Sequence, residues 1–453
     1  MCATRQRTGR SIGGVALEWY WALALIFGFL VILMASGIPI AFCFLLVNIA
    51  GAFLFWGGIS GVEQLIMSLF RSISTFVLLP LPMFILMGEV MFHAGIAPQL
   101  IDSLDKWLGK MPGRLSFITV GAGVIFATLT GTSMASVAML GSSLLPEMRA
   151  RGYKKPMVLG PILGSGSLAH MIPPSALGVL LGAIGLLSIG KILMAIIIPG
   201  LLVATLMAIY ILGRCIIQPD VAPVYDVRPV PWSDRIIAFI RYIAPIGIVI
   251  FLVIGVMFLG MATPSEAAAT GAIGTFILAA IYGNLNWRVV KKSLGGTASI
   301  TIMIFMIIAG ASAFSQNLAY TGASQGMVAV ALGLSVAPIV VIVLMQIIVL
   351  ILGCLMEAAS ILMITLPLFI PVVNALGFDP IWFAVLMLLN LEIATISPPV
   401  GLSLYTMKGV APPDVTMGDI FRAAIPFCAI DIVAMAVIMV FPDLALWLPT
   451  MMR

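Results

Sequence analysis

The stretch that decides the fold is Arg114–Lys155, RLSFITVGAGVIFATLTGTSMASVAMLGSSLLPEMRARGYKK. Its apolar run, 115–146, holds about 32 residues, whereas about 20 suffice to cross a bilayer. A cluster of small residues, Gly131-Thr132-Ser133, interrupts it near the middle. One long tilted helix and a hairpin that enters and leaves on the same face are the two available readings. Charge separates them. Lys106, Lys110 and Arg114 precede the run, and Arg149, Arg151, Lys154 and Lys155 follow it. A single span would place one basic cluster outside, against the positive-inside tendency, while a re-entrant hairpin keeps both in the cytoplasm. A second long run, 337–375, is broken in the same way at Gly353-Cys354.

The rest of the chain agrees with a membrane reading. Of its 453 residues 62% are apolar and only 9% charged, with a mean hydropathy of +1.22. Soluble domains carry about 25% charged residues, so a soluble enzyme, a nucleic-acid binder and a disordered chain are excluded. Porin-type strands alternate polar and apolar residues, and these unbroken runs do not. The net charge of +5 mainly reports cytoplasmic loops facing a lipid bilayer. Cys2, Cys43, Cys215, Cys354 and Cys428 are scattered without a CxxC pair, and the only histidines are His93 and His170. Neither a disulfide framework nor a zinc site is indicated. No small-residue cleavage site follows the first apolar run, so a cleaved signal peptide is not expected.

Apolar runs fall near 19–36, 39–57, 73–95, 115–146, 157–188 and 192–213, and again near 243–260, 264–283, 298–320, 337–375, 381–407 and 420–441. The polar stretch Gln218 to Arg241 separates the two sets. Landmarks recur at an offset of roughly 222 to 227 residues: Pro39 with Pro264, Gly88 with Gly310, Gly131 with Gly353, Leu145-Pro146 with Leu366-Pro367, Pro173-Pro174 with Pro398-Pro399, Gly190 with Gly418, and Pro199 with Pro426. We therefore expect an N-terminal tail (1–18), a first repeat (19–214), a cytoplasmic linker (215–241) and a second repeat (242–453). Each repeat would hold about five transmembrane helices plus one re-entrant hairpin. The linker would then be cytoplasmic and the second repeat inverted relative to the first. Most of the 22 basic residues fall inside in this scheme, with Arg5, Arg7 and Arg10 as exceptions.

An all-α polytopic protein of two inverted-topology repeats with broken helices is the architecture of secondary transporters. Breaks inside the membrane free backbone carbonyls and amides, which are tolerated only where they line a cavity. Four breaks are expected. The first tip offers Gly131, Thr132, Ser133 and Ser136, hydroxyls and carbonyls suited to a hard monovalent cation such as Na⁺. Its partner stretch holds Ser165, Gly166, His170, Pro173 and Ser175, and a diproline leaves carbonyls of the preceding turn unpaired. The second tip supplies Gly353, Glu357 and Ser360, and its partner stretch Thr395, Ser397, Pro398 and Gly401. We assign Gly131, Thr132, Ser133, Ser136, Pro173, Gly353, Thr395, Ser397, Pro398 and Gly401 to paired Na⁺ sites. Ser165, Gly166, His170, Ser175, Glu357 and Ser360 are assigned to substrate.

The bland readings stand beside these. Small residues also permit close helix packing, Glu357 also reads as a structural cap of a half-helix, and His170 also reads as a structural partner. Glu89 and His93 are one helical turn apart and can pair; Glu266 follows Pro264 at a helix start; Glu392 lies just before the second diproline; Asp431 reads as isolated in the last span. No Lys or Arg lies at the breaks, so an anion would be held by half-helix N-termini, hydroxyls and bound Na⁺. There is no GxxxxGK[ST], GxSxG or HExxH pattern.

Several stretches, GTSMASVAMLGSSLLPEMRARGYKKP, LAHMIPPSALGVLLG, SIGKILMAIIIPGLL, GCLMEAASILMITLPLFIPVVNALGFDP and ISPPVGLSLYTMKGVAP, together resemble the large membrane subunit of the tripartite ATP-independent periplasmic (TRAP) transporters. The likeness runs from about Glu18 to Pro449; Glu357 departs from it, since aspartate is expected there. The resemblance implies an elevator-type secondary transporter in a bacterial inner membrane. It implies Na⁺ as coupling ion with no other cofactor, and an organic-anion substrate such as a dicarboxylate, sugar acid or keto acid. It also implies two partners, a periplasmic substrate-binding protein and a small four-helix membrane subunit, here a separate chain because only a short tail precedes the first span. The alternative is a Na⁺-coupled elevator carrier of carboxylates that works without a binding protein. An intramembrane enzyme lacks a converging nucleophile and base in this sequence, and a channel would conduct without saturating.

Overall fold

The computed structural model describes residues 11–12, 15–16, 18–109, 111–130, 132–225, 230–353, 356–399 and 401–452. Apart from a two-residue antiparallel pair, Ser11–Ile12 with Val15–Ala16, the described elements are helices. The first half contains α1 (Trp19–Ala35), α2 (Ile40–Phe55), α3 (Ile59–Ile73), α4 (Pro80–His93), α5 (Ala97–Trp107), α6 (Arg114–Thr130), α7 (Ser133–Ala150), α8 (Lys155–Ser167), α9 (Ala176–Gly185), α10 (Ile189–Ala195) and α11 (Ile197–Ile217). The second contains α12 (Trp232–Ala238), α13 (Ala244–Ile250) and α14 (Val256–Phe258), joined by π-helical turns, then α15 (Pro264–Ile281), α16 (Trp287–Tyr320) and α17 (Ala323–Gly333). It ends with α18 (Pro338–Gly353), α19 (Ala358–Ala375), α20 (Pro380–Ile396), α21 (Leu402–Val410), α22 (Met417–Val440) and α23 (Asp443–Met451). Among the described residues, seven helical segments are long and apolar enough to cross a membrane by length and composition.

Local chemistry sets the boundaries. Thr263 and Glu266 form a capping box ahead of α15, with Pro264 at its first turn, and Thr416 with Asp419 does the same for α22. These residues satisfy amides that a helix start leaves orphaned. Asp379 caps α20 by accepting from the Ile381 and Trp382 amides. The connection expected over 215–241 is shorter in the structure, because α11 runs on to Ile217 and α12 starts at Trp232. Polar residues Ser233, Asp234 and Arg235 lie in that first turn, so composition there reads as linker although the backbone is helical. Two further helices, α3 and α5, fall largely outside the apolar runs. Both are strongly amphipathic, with polar faces that dilute the window average.

The long run beginning at Arg114 is a hairpin. It splits at 131–132 into α6 and α7, which pack on each other. The open ends lie together: the Leu115 amide donates to the Tyr153 hydroxyl (3.2 Å), the Ser116 hydroxyl to the Met157 carbonyl (2.9 Å). Arg114, at the start of α6, and Arg151, after α7, both lie over the Tyr225 ring, at 5.9 and 4.1 Å. A continuous span could not bring those guanidiniums to one tyrosine. Arg149 makes a bidentate ion pair with Asp414 (2.9 and 3.0 Å), and Lys155 pairs with Asp419 (2.8 Å), so the same basic end is fastened to the first turn of α22 and the loop before it.

Packing sorts the helices into two groups. α4 rests on α15 and α16, and α16 also on α2 and α3. There Asn48 donates to the Gly310 carbonyl (2.8 Å) and accepts from Asn317 (3.1 Å), a buried polar clasp between α2 and α16. The hairpins form the other group: α8 is packed by α6, α7 and α22, and α20 by α18 and α22. The groups meet along α4 with α6 and along α16 and α17 with α19.

Candidate functional site

At the first tip Gly131 lies outside the described residues. Thr132 stands at the N-cap of α7 with extended backbone (φ −136°, ψ 134°), and its carbonyl accepts the Ser136 amide at 3.2 Å. Ser133 and Ser136 are buried. The partner stretch comes close because glycine permits it. A Cβ on Gly166 would sit 2.3 Å from Val137 Cγ2, and one on Gly123 would sit 2.4 Å from Ser165 Cβ. After Ser167 the helix tightens to a 3₁₀ turn, Leu168–His170, followed by a cis Pro173-Pro174 bond. A cavity beside the tip is lined by Thr128, Thr132 and Pro174, and also by Gly88, Glu89 and Phe92 of α4. The structure thus brings Thr132 to the diproline, as expected, and adds Glu89. That carboxylate pairs with His93 at 3.2 Å. Pro173 lines a separate apolar cavity with Val124, Ile172 and Met194.

The assigned substrate residues of this half do not line the tip cavity. Ser165 is fully buried and its hydroxyl has no hydrogen-bond partner among the described residues. His170 is buried with Nδ1 likewise unpaired. The Ser175 hydroxyl accepts the Gly178 amide (3.2 Å) and caps α9.

At the second tip Gly353 ends α18, Cys354 and Leu355 lie outside the described residues, and Glu357 stands at the N-cap of α19. Gly353, Met356, Glu357, Ala394 and Thr395 line one cavity of about 120 Å³. Three assigned residues, Gly353, Glu357 and Thr395, therefore share it. The Glu357 carboxylate lies beside the Ala359 and Ser360 amides and the Ser360 hydroxyl, the position of a half-helix cap. Ser360 itself is buried. Gly353 is packed so closely that a Cβ would meet Ala394 Cβ at 2.4 Å.

Beyond Thr395 the chain turns through Ser397 and a cis Pro398-Pro399 bond; Val400 is not among the described residues. The Gly401 amide donates to the Ser397 carbonyl (3.1 Å). A Cβ there would lie 2.6 Å from the Thr395 carbonyl oxygen and 2.9 Å from that of Ser397. Two carbonyl oxygens thus converge on a residue that must be glycine. Oxygen donors of this kind fit a hard monovalent cation. Neither tip cavity is lined by lysine or arginine.

The halves interlock at the breaks. α7 packs on α21, and α19 packs on α9, so each hairpin's second arm rests on the helix that follows the other half's diproline. Ser133 Oγ lies 2.8 Å from Ser403 Oγ. Ser167, at the end of α8, donates to Glu392 Oε1 of α20 at 3.1 Å. Asp431 is not isolated: it is fully buried with Glu392 as its charged neighbour. Sequence reading found both acids in apolar helices but could not join residues on different helices. Ser167 and Ser403 lie within the breaks expected near 164–175 and 394–403, but no sequence signal points either to its partner in the other half.

Comparison with known proteins follows the same lines. The family model described as Tripartite ATP-independent periplasmic transporter, DctM component, matches residues 27–444. The chain is 31% identical over 396 residues to the C4-dicarboxylate TRAP transporter large permease protein DctM of Pseudomonas aeruginosa, covering 86% of this chain and 90% of that one. It is 28% identical over 425 residues to the sialic acid TRAP transporter large permease protein SiaM of Vibrio cholerae, covering 94% and 97%. Among solved structures, the Alcanivorax borkumensis YdaH transporter superposes with a TM-score of 0.64 at 15% identity, covering 86% of this chain and 89% of that one; the likeness is one of fold.

Proposed function

The chain belongs to the tripartite ATP-independent periplasmic transporter family as its DctM component, a multi-pass inner-membrane permease, and from that premise we propose that it imports an organic anion using the Na⁺ gradient. A carboxylate-bearing solute is delivered by a periplasmic binding protein, and the permease acts with a small four-helix membrane subunit. The observation that carries this reading is the second tip, where Gly353, Glu357 and Thr395 share one cavity next to the carbonyls that converge on Gly401. Carbonyl and hydroxyl oxygens there suit Na⁺, while the first amides of α19 already face the Glu357 carboxylate.

In this reading residues 19–214 and 242–453 are inverted repeats joined by a cytoplasmic linker, 215–241. The recurring order of elements supports it: a hairpin, a broken helix and a closing span follow in each half. The hairpin-bearing group moves as an elevator against the group built on α4, α15 and α16. The seams between α4 and α6 and between α16 and α19 are where sliding would occur.

The test is uptake into proteoliposomes carrying the permease and small subunit, with the binding protein and a labelled C4-dicarboxylate outside. Uptake should require an inward Na⁺ gradient and the binding protein. Uptake independent of Na⁺ would defeat the coupling, and equal uptake without the binding protein would favour a stand-alone carrier.

A further inference from the structure

The apolar cavity that Pro173 lines is a groove of about 530 Å³ between the two helix groups. One wall comes from α6, the first diproline, α10, α11 and Leu448 of α23. The other comes from α13, α14 and the π-helical turn Phe251–Gly255 that joins them. α13 and that turn pack on α15, whereas α11 packs on α6, α22 and α23. Each wall therefore belongs to its own group, and the groove runs along the seam.

Its chemistry excludes polar ligands. None of the lining residues is charged. The one side-chain hydroxyl among them, Thr128, donates to the Ile125 carbonyl (2.6 Å). Water needs about two to four polar partners in such a space, and these side chains do not offer them.

The groove also has a direction. Its floor, Thr128, Ile172, Pro173 and Met194, is buried, whereas Leu201, Gly247 and Phe251 at its mouth are exposed. Beside the mouth stand the exposed apolar side chains of Ile248 and Leu252. In a membrane, such a mouth opens onto acyl chains. Its length fits one of them. From Gly247 to Phe258 the helix rises about 16 Å, close to half of a hydrocarbon core about 30 Å thick. The connection 218–231 joins the end of α11 to the start of α12, so Leu201 and the stretch 247–258 both lie in the leaflet away from it.

We propose that this groove binds one acyl chain of a membrane phospholipid drawn from the leaflet opposite that connection. Apolar walls with no atoms against them forfeit dispersion contacts, and a hydrocarbon tail restores these. The site is independent of the coupling ion and of the binding protein, and it fills the seam between the two groups.

The test is photolabelling of the full chain in proteoliposomes that contain a phospholipid with a diazirine at mid-chain, with and without the small membrane subunit. Peptide mass spectrometry should find label on the buried floor, at Thr128, Ile172 or Met194, as well as on exposed faces. A Cβ on Gly247 would meet nothing within 4 Å, so Gly247→Phe sets a ring at the mouth without a clash at its root. That variant should lose the floor label and keep the label on Ile277, which is exposed on α15. Leu201→Trp, on the opposite wall, should do the same and carries the test if Gly247→Phe fails to fold. A wild-type floor without label, or a floor labelled equally in a folded variant, would overturn the proposal. Floor label that disappears when the small subunit is added would give the groove to that partner and overturn it as well.

Discussion

The Ser133 and Ser403 hydroxyls lie 2.8 Å apart, although 270 positions separate them in the chain. One opens the second arm of the first hairpin, and the other lies in the first turn of the helix after the second diproline. A hairpin tip of one half is therefore bonded to the break of the other. Any cation held at Thr132 and Ser133 senses both halves.

Thr132→Ala combined with Ser133→Ala should raise the Na⁺ concentration for half-maximal uptake about tenfold, the effect of losing roughly 1–2 kcal/mol of polar contact. Ser403→Ala should shift it in the same direction, because Ser133 loses the hydroxyl that orients it. Unchanged Na⁺ activation in proteoliposomes would remove these hydroxyls from the ion site.

Glu357→Gln should reduce initial uptake about tenfold or more, and Glu89→Gln distinctly less. Glu357 shares the second tip cavity with Gly353 and Thr395, whereas Glu89 is held by His93. Equal rates for the two variants would reduce Glu357 to a helix cap.

Gly353→Ala should lower the thermal unfolding temperature and uptake together. Its Cβ would lie 2.4 Å from Ala394 Cβ, and overpacking of this kind costs about 1–3 kcal/mol. Adding Ala394→Gly should recover part of the loss, since the two sites touch. Failure of that second change to help would place the strain elsewhere.

The Arg149–Asp414 pair predicts a pH dependence with a definite sign. Hydrogen bonds from the Arg149 guanidinium hold the Asp414 carboxyl below its ordinary value. The unfolded chain then takes up this proton at higher pH than the folded one. Its stabilisation is present above the ordinary carboxylate range and is lost as pH falls through the lowered folded value. Wild type and Asp414→Asn should differ slightly in unfolding temperature at pH about 7 and converge as the pH falls through the lowered folded value. The exposed pair makes that difference small, on the order of 1 °C. A gap that persists in acid would mean the asparagine disturbs something other than the ion pair.

Residues 106 and 154 should face the same side of the membrane. Cysteines placed there, in a chain cleared of its native cysteines, should react with an impermeant maleimide from one side only. Reaction from opposite sides would contradict the shared Tyr225 contact of Arg114 and Arg151.

Part of the site was legible in the chain and part was not. The apolar run from Leu115 is too long for one crossing and carries basic residues at both ends, and hydropathy with charge suffices to fold it back on itself. Thr132 with Pro174, and Glu357 with Thr395, each read as belonging to neighbouring breaks, and each pair lines one cavity. The amphipathic helices α3 and α5 escaped because an average over a window erases a one-sided face. The role of Ser175 also escaped, since a capping serine and a ligand serine are the same letter.

What the sequence determined by itself, then, is what depends on distance along the chain. Lengths of apolar runs set where helices are, and small residues and prolines set where they break. What only the tertiary structure decided is which breaks meet. The pairing of Ser133 with Ser403 and that of Ser167 with Glu392 come from helices packing across the two halves. Bilayer burial constrains each helix separately and is indifferent to its neighbour. The choice of neighbour is made by side-chain shape and by buried polar groups seeking partners, and neither has a period that one chain can display.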